Sequence, residues 1–209
     1  MVDLDKIKEG ILKTEVDAVK DLVQRAVDEG QEVKTVLNEG LIVGMRLVGD
    51  KFEQGDLFLP EMVVAARAMK EGLKVLKPFL KEGDIQSSGR VILGTVKGDI
   101  HDIGKGIVGI MLEGGGFVVS DIGADIEPAK FMEEARKENA DLIGVSALLT
   151  TTMAGMKNVV QEAKEAGLTA RVMVGGASVT REFADEIGAV GYAPDAPSAV
   201  REANELMKG

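Results

Sequence analysis

The sequence predicts an all-α segment followed by an α/β domain, and three observations carry that prediction. The first 80 or so residues place apolar side chains at helical spacing, with no alternating strand pattern. A polar break rich in Gly, Asp and Ser runs from Lys81 to Arg90. Beyond it, short apolar runs alternate with helical stretches five times, which implies a five-stranded parallel sheet with helices on both faces. The 209 residues correspond to about 1.4 domains at ~150 residues each, so two small domains fit. The expected division is a helical bundle over 1–85 and a sheet domain over 86–209.

In the first segment, Val19, Leu22, Val23, Ala26 and Val27 recur at helical spacing and Gly30 follows as a C-terminal cap. A second helical stretch runs from about Gln31 to Phe52. Pro60 and Glu61 open a third helix, because proline suits the first helical position and an acid the first turn. That helix aligns Met62, Ala65, Ala66, Met69, Leu73 and Leu76 on one face. After the break, strands are expected at Val91–Val96, Phe117–Ser120, Leu142–Ser146, Val172–Val174 and Ala189–Tyr192. The helices between and after them are expected at Gly104–Gly114, Glu127–Glu138, Met153–Gly167, Thr180–Ile187 and Pro197–Met207. The polar break is the expected hinge between the two domains.

Composition narrows the function. With 45% hydrophobic and 29% charged residues and a mean hydropathy of +0.08, the chain is globular, and no apolar run nears the ~18 residues of a membrane span. Residues 1–30 mix Asp, Lys and Glu with no signal-peptide core, so a cytoplasmic protein is expected. Absence of cysteine excludes disulfide scaffolds, zinc ribbons, iron–sulfur clusters and cysteine nucleophiles. A formal charge of −10, no basic stripe and 3% aromatic residues argue against nucleic-acid binding.

In an open parallel sheet, ligands sit beyond the carboxyl ends of the strands. There the loop after the first strand reads Lys97-Gly98-Asp99-Ile100-His101-Asp102-Ile103-Gly104-Lys105, and His101 is the only histidine. Neutral imidazole is the commonest metal ligand, and a carboxylate two residues away can take the other ring N–H. The same pair also reads as an ordinary loop histidine bonded to its neighbour. Zinc would want three or four ligands, whereas one suffices if a macrocycle supplies the equatorial four, so a tetrapyrrole-type cofactor is indicated. Ser146-Ala147-Leu148, the hydroxyl run Thr150-Thr151-Thr152, and Gly175-Gly176 lie at other strand ends. The hydroxyls suit a buried heterocycle, and the glycines remove side chains where a bulky ligand would pass. Taken singly, the threonines read as a helix N-cap and the glycines as a turn.

Together, Asp99-x-His101-x-x-Gly104, Ser146-x-Leu148 and Gly175-Gly176 resemble the cobalamin-binding signature of a flavodoxin- or Rossmann-like domain. Residues 48–62, from Val48 to Met62, resemble the cap segment of cobalamin-dependent methionine synthase and of the corrinoid proteins of anaerobic methyltransferase systems. The resemblance spans roughly residues 1–205. It implies a cobalamin or related corrinoid whose lower base is detached from cobalt and buried, with His101 as lower axial ligand. It also implies Asp99 as the partner of His101, Thr152 as a relay hydroxyl and Ser146 as a contact to the buried base. Phe52 and Leu59, with Met62 beside them, are implied over the upper corrin face, although a Phe and a Leu at a helix break also read as core. Gly98, Asp102, Ile103, Leu148, Thr150, Ala177 and Tyr192 complete the implied cofactor shell.

The function this implies is methyl carriage on cobalt between a substrate methyltransferase of the methanol, methylamine, betaine or methoxyaromatic type and an acceptor methyltransferase using tetrahydrofolate or a thiol. A reductive activase is a further expected partner; neither nucleic acid nor membrane is. Two alternatives stand beside it: a cobalamin-dependent sensor, which wants a DNA-binding segment, and a flavodoxin-like nucleotide-binding domain, for which the phosphate-loop and G-x-G-x-x-G motifs are missing.

Overall fold

The computed structural model describes residues 2–80 and 88–208. It divides into two compact units, one of residues 1–86 with Gly114–Gly116, the other of residues 87–113 and 117–209. Most of the expected hinge, residues 81–87, and the expected boundary at 85/86 lie outside the described residues. The end of that stretch is no linker, because Gly89 and Arg90 already belong to a strand.

The helical unit comprises α1 (Leu4–Leu12), α2 (Val16–Asp28), α3 (Val33–Thr35), a π-helical segment (Val36–Ile42), α4 (Val43–Glu53) and α5 (Leu59–Leu76), closed by a 3₁₀ turn at Lys77–Phe79. Helix α2 buries Val19, Val23 and Ala26, and ends where Gly30, at φ 73°, donates its N–H to the carbonyl of Val27. The expected second helix is therefore real but contains a wider π turn. Glycines bring α1 against it: a Cβ on Gly44 would lie 2.8 Å from Ile11 and 3.2 Å from the Cα of Lys8. Helix α5 starts one residue before Pro60, with the Glu61 carboxylate accepting the Phe58 N–H at 2.8 Å. Its buried face includes Met62, Ala65, Ala66, Met69 and Leu76, while Ala68 and Gly72 are buried where Leu73 was expected.

In the second unit, five strands form one parallel sheet among the described residues: β1 (Gly89–Val96), β2 (Phe117–Ile126), β3 (Leu142–Ser146), β4 (Arg171–Gly175) and β5 (Gly191–Ala193). Helices α6 (Ile103–Gly114), α7 (Pro128–Lys137), α8 (Ala154–Glu165), α9 (Arg181–Ile187) and α10 (Ala196–Lys208) follow the strands in turn. Successive strand residues point to opposite faces and so build two cores. Val91, Leu142 and Met173 pack with Leu112, Ala199 and Ala203 of α6 and α10. Ile92, Ile143, Val172 and Val174 pack with Phe131, Met156 and Val159 of α7 and α8. Strand β2 runs six residues beyond the expected Ser120, with register shifts against β1 at Leu93/Gly94 and Gly94/Val96.

The strand order is β2-β1-β3-β4-β5. The chain leaves β1 toward β2 and leaves β3 toward β4, so the carboxyl ends of β1 and β3 form the switch point at which such sheets bind ligands.

Candidate functional site at the β1 and β3 strand ends

Strand β1 ends in a tight reversal. Gly98 takes φ 81° and Asp99 donates its N–H to the carbonyl of Val96 at 3.1 Å. The turn sends the Asp99 side chain inward, where it is fully buried. Its Oδ1 accepts the backbone N–H of His101 at 3.0 Å and lies 2.7 Å from His101 Nδ1. Its Oδ2 accepts the Leu148 N–H at 2.8 Å and the Thr152 hydroxyl at 2.7 Å, both from the segment after β3. That hydroxyl also lies 2.9 Å from the carbonyl of Leu149, close to a second acceptor for its single proton. Buried Thr95 donates its hydroxyl to the carbonyl of His101 at 3.1 Å.

Burial alone would push the Asp99 carboxyl up. The N–H groups of His101 and Leu148, the Thr152 hydroxyl and the His101 ring outweigh it and hold Asp99 well below the usual carboxylate range. An ionised carboxylate can only accept, so Nδ1 of His101 carries its hydrogen and the lone pair is left on Nε2. The ring is 47% exposed. Exposed apolar side chains accompany it on both strand ends: Ile100 and Ile103 are 76% and 79% exposed, and Leu148 and Leu149 are exposed as well. Gly104 opens the first turn of α6, and a Cβ there would meet no protein atom within 4 Å. The site is thus a half-exposed nitrogen donor, rigidly aimed, in apolar surroundings with free space at the following helix start.

The structure thus joins Asp99, His101, Leu148 and Thr152. Gly98 supplies the turn, Asp102 starts α6 by accepting the Gly106 N–H at 2.7 Å, and Thr150 is exposed beside Thr152. Ser146 ends β3 half-buried, in register with Thr95 and Gly175. The fold itself supplies a reason for the glycine pair. A Cβ on Gly176, at φ 140°, would lie 1.9 Å from the carbonyl oxygen of Ala147, and one on Gly175 would lie 2.6 Å from that of Ala193. Neighbouring backbone already excludes side chains there.

Ala177 is exposed, and next to it the Ser178 hydroxyl is buried with no hydrogen-bond partner among the described residues. Tyr192 on β5 is already engaged: its hydroxyl donates to the Val179 carbonyl at 3.0 Å and the Arg181 guanidinium lies 5.0 Å from its ring centre. It borders an open groove of about 610 Å³ whose other walls include Pro194, Ser198 and Arg201. In the helical unit Phe52 is half-buried, Leu59 exposed and Met62 buried. Sequence reading missed Thr95, Ser178, and two acids of the β2 extension: Asp121, which pairs with the buried Lys105, and Asp125.

Residues 89–201 match the B12 binding domain family, and residues 3–77 match a second B12 binding domain family. The chain belongs to the B12-binding corrinoid proteins. Within that family it is 45% identical to the dimethylamine corrinoid protein of Methanosarcina barkeri over 98% of this chain and 97% of that one. It is 43% identical to a corrinoid protein of Desulfitobacterium hafniense, again over 98% and 97%. Among solved structures, the methanol:cobalamin methyltransferase complex of Methanosarcina barkeri superposes with a TM-score of 0.89 at 30% identity, covering 99% of this chain and 80% of that one. Among the described residues no helix is long and apolar enough to cross a membrane.

Proposed function

We propose that this family member carries a methyl group on the cobalt of a corrinoid, in the cytoplasm, between a substrate methyltransferase and an acceptor methyltransferase, with residues 86–209 holding the cofactor and residues 1–85 capping it. The observation that carries the reading is the Asp99–His101 pair at the β1/β3 switch point: a buried, ionised carboxylate fixes Nδ1 and leaves Nε2 free to ligate. Methylamine and methanol systems supply the named relatives, so a donor of that class is the expected one.

The residues fit the group. His101 would hold the cobalt of the corrinoid through Nε2. Ile100, Ile103, Leu148 and Leu149 offer apolar contact to a flat macrocycle, and the missing Cβ of Gly104 allows its close approach. Ser146 and the Ser178 hydroxyl, which has no hydrogen-bond partner among the described residues, would contact the buried base and tail. Phe52, Leu59 and Met62 belong to the cap. When bound, the corrinoid supplies the metal centre that accepts and releases the methyl group. The chain sets the ligation: Asp99 holds the His101 ring through Nδ1, which would leave Nε2 for the metal.

Because His101 is the only histidine, labelling the protein with ¹⁵N-histidine marks this one ring. The cobalt(II) protein is expected to show ligand-nitrogen splitting in electron paramagnetic resonance that changes from the ¹⁴N to the ¹⁵N pattern, and His101→Ala to lose it. Splitting that ignores the label, or survives the substitution, overturns the ligand assignment.

A further inference from the structure

The next-to-last residue of the unexpected extension of β2 has an unusual backbone. Asp125 has φ 59°, a region that side chains other than glycine rarely adopt and that Asp and Asn tolerate best. Such conformations persist where surrounding bonds over-determine them. Here the Asp125 carboxylate accepts the Gly98 N–H at 2.8 Å, and the Asp125 N–H donates to the Asp99 carbonyl at 2.9 Å. One residue therefore grips the peptide units on both sides of the Gly98–Asp99 step. Lys97, 3.6 Å from the same carboxylate and 3.3 Å from Glu127, balances its charge.

Asp99 is thus held twice, and by different strands. Its side chain is gripped by Leu148 and Thr152 after β3, and its main chain by Asp125 at the end of β2. The first grip fixes where the carboxylate is; the second fixes the direction from which it leaves the backbone. We infer that Asp125 is a positioning residue for the Asp99–His101 pair, so that the β2 end sets the aim of His101 Nε2. This rests on the proposed ligation by His101.

The test begins with cobalt(II) protein, corrinoid-loaded and ¹⁵N-histidine-labelled. Loss of histidine coupling in the unsubstituted protein would count against the ligation itself, and so is distinguishable from failure of the present inference. Given that coupling, Asp125→Gly keeps the positive φ and the backbone N–H but removes the carboxylate. The ratio of histidine-bound to histidine-free cobalt is expected to fall about tenfold, at the low end of the ~10 to 100-fold effects of partners that orient metal-ligating histidines. In the corrinoid-free protein, exchange of the Gly98 amide is expected to accelerate by a similar factor. Asp125→Asn, which keeps both an acceptor oxygen and tolerance of positive φ, should restore most of each. Glu127→Gln, which removes the other carboxylate beside Lys97, should change neither.

An unchanged histidine-bound ratio in Asp125→Gly overturns the inference, whether or not Gly98 exchange accelerates. A fall matched by Glu127→Gln also overturns it, because general loss of negative charge would then be the cause. Should the glycine variant not fold, Asp125→Ser, whose shorter side chain does not span the gap to Gly98, gives the same two readouts.

Discussion

Two glycines of the sheet unit lack side chains for opposite reasons. At Gly176, in the turn after β4, an added Cβ would drive into the Ala147 carbonyl at 1.9 Å; at Gly104, in the first turn of α6, it would meet nothing within 4 Å. Gly176 also has a positive φ that disfavours L residues, whereas Gly104 has none. In sequence the two look alike, as glycines at strand ends in one motif. The comparison separates a glycine demanded by the fold from one the fold leaves optional.

That difference can be broken most directly at Gly176. Gly176→Ala forces either the β3 or the β4 end to move and adds backbone strain, so a loss of ~3 kcal/mol or more is expected, read from the urea unfolding midpoint. A loss within ~0.5 kcal/mol would mean that the two strand ends yield easily and that the contrast is empty.

A smaller effect is expected at Asp99, whose carboxylate satisfies donors from both strand ends. Asp99→Asn keeps the shape but removes the charge and presents an N–H₂ where an acceptor is needed, at a cost of about 2 kcal/mol. Because the folded-state carboxyl lies below its ordinary value, its contribution is fully present above about pH 4, the unfolded range, and is lost as pH falls further toward the folded value. The stability gap between the corrinoid-free parent and Asp99→Asn should therefore shrink as the pH falls below about 4. A gap that widens as the pH falls below about 4 would contradict the assignment of the bonds.

The smallest stability effect, and the sharpest use of the comparison, belongs to Gly104. Gly104→Leu adds a better helix former in open space, so stability should hold or rise by up to ~1 kcal/mol. Corrinoid uptake, followed by absorption after mixing with cobalamin, should nevertheless fall steeply. Unchanged uptake would show that the free space at the start of α6 lies away from the cofactor.

Much of the architecture was legible because it depends on local periodicity. Strand β3, buried on both faces, reads as a short continuous apolar run and was bounded correctly at Leu142–Ser146. Helices α2 and α5 declared themselves through spacing and caps. Strand β2 was cut short because Asp121, Gly123 and Asp125 do not read as strand. Asp125 bonds the β1 turn and Asp121 bonds Lys105 of α6, partners distant in the sequence, while Gly123 donates its N–H to the Asp121 carboxylate.

By itself the sequence determined the order of elements, the break between two regions and the chemical identity of the strand-end loop: one histidine two residues from one aspartate on a glycine turn. Those features follow from spacing along a chain whose local geometry is constrained. Only the tertiary structure decided that Asp99 is buried and bonded to Leu148 and Thr152, 49 and 53 residues away, that Asp125 grips it from the opposite strand, and which glycines are obligatory. Such contacts depend on strand order and register, and the side-chain space at any position is set by whichever distant backbone the sheet brings beside it.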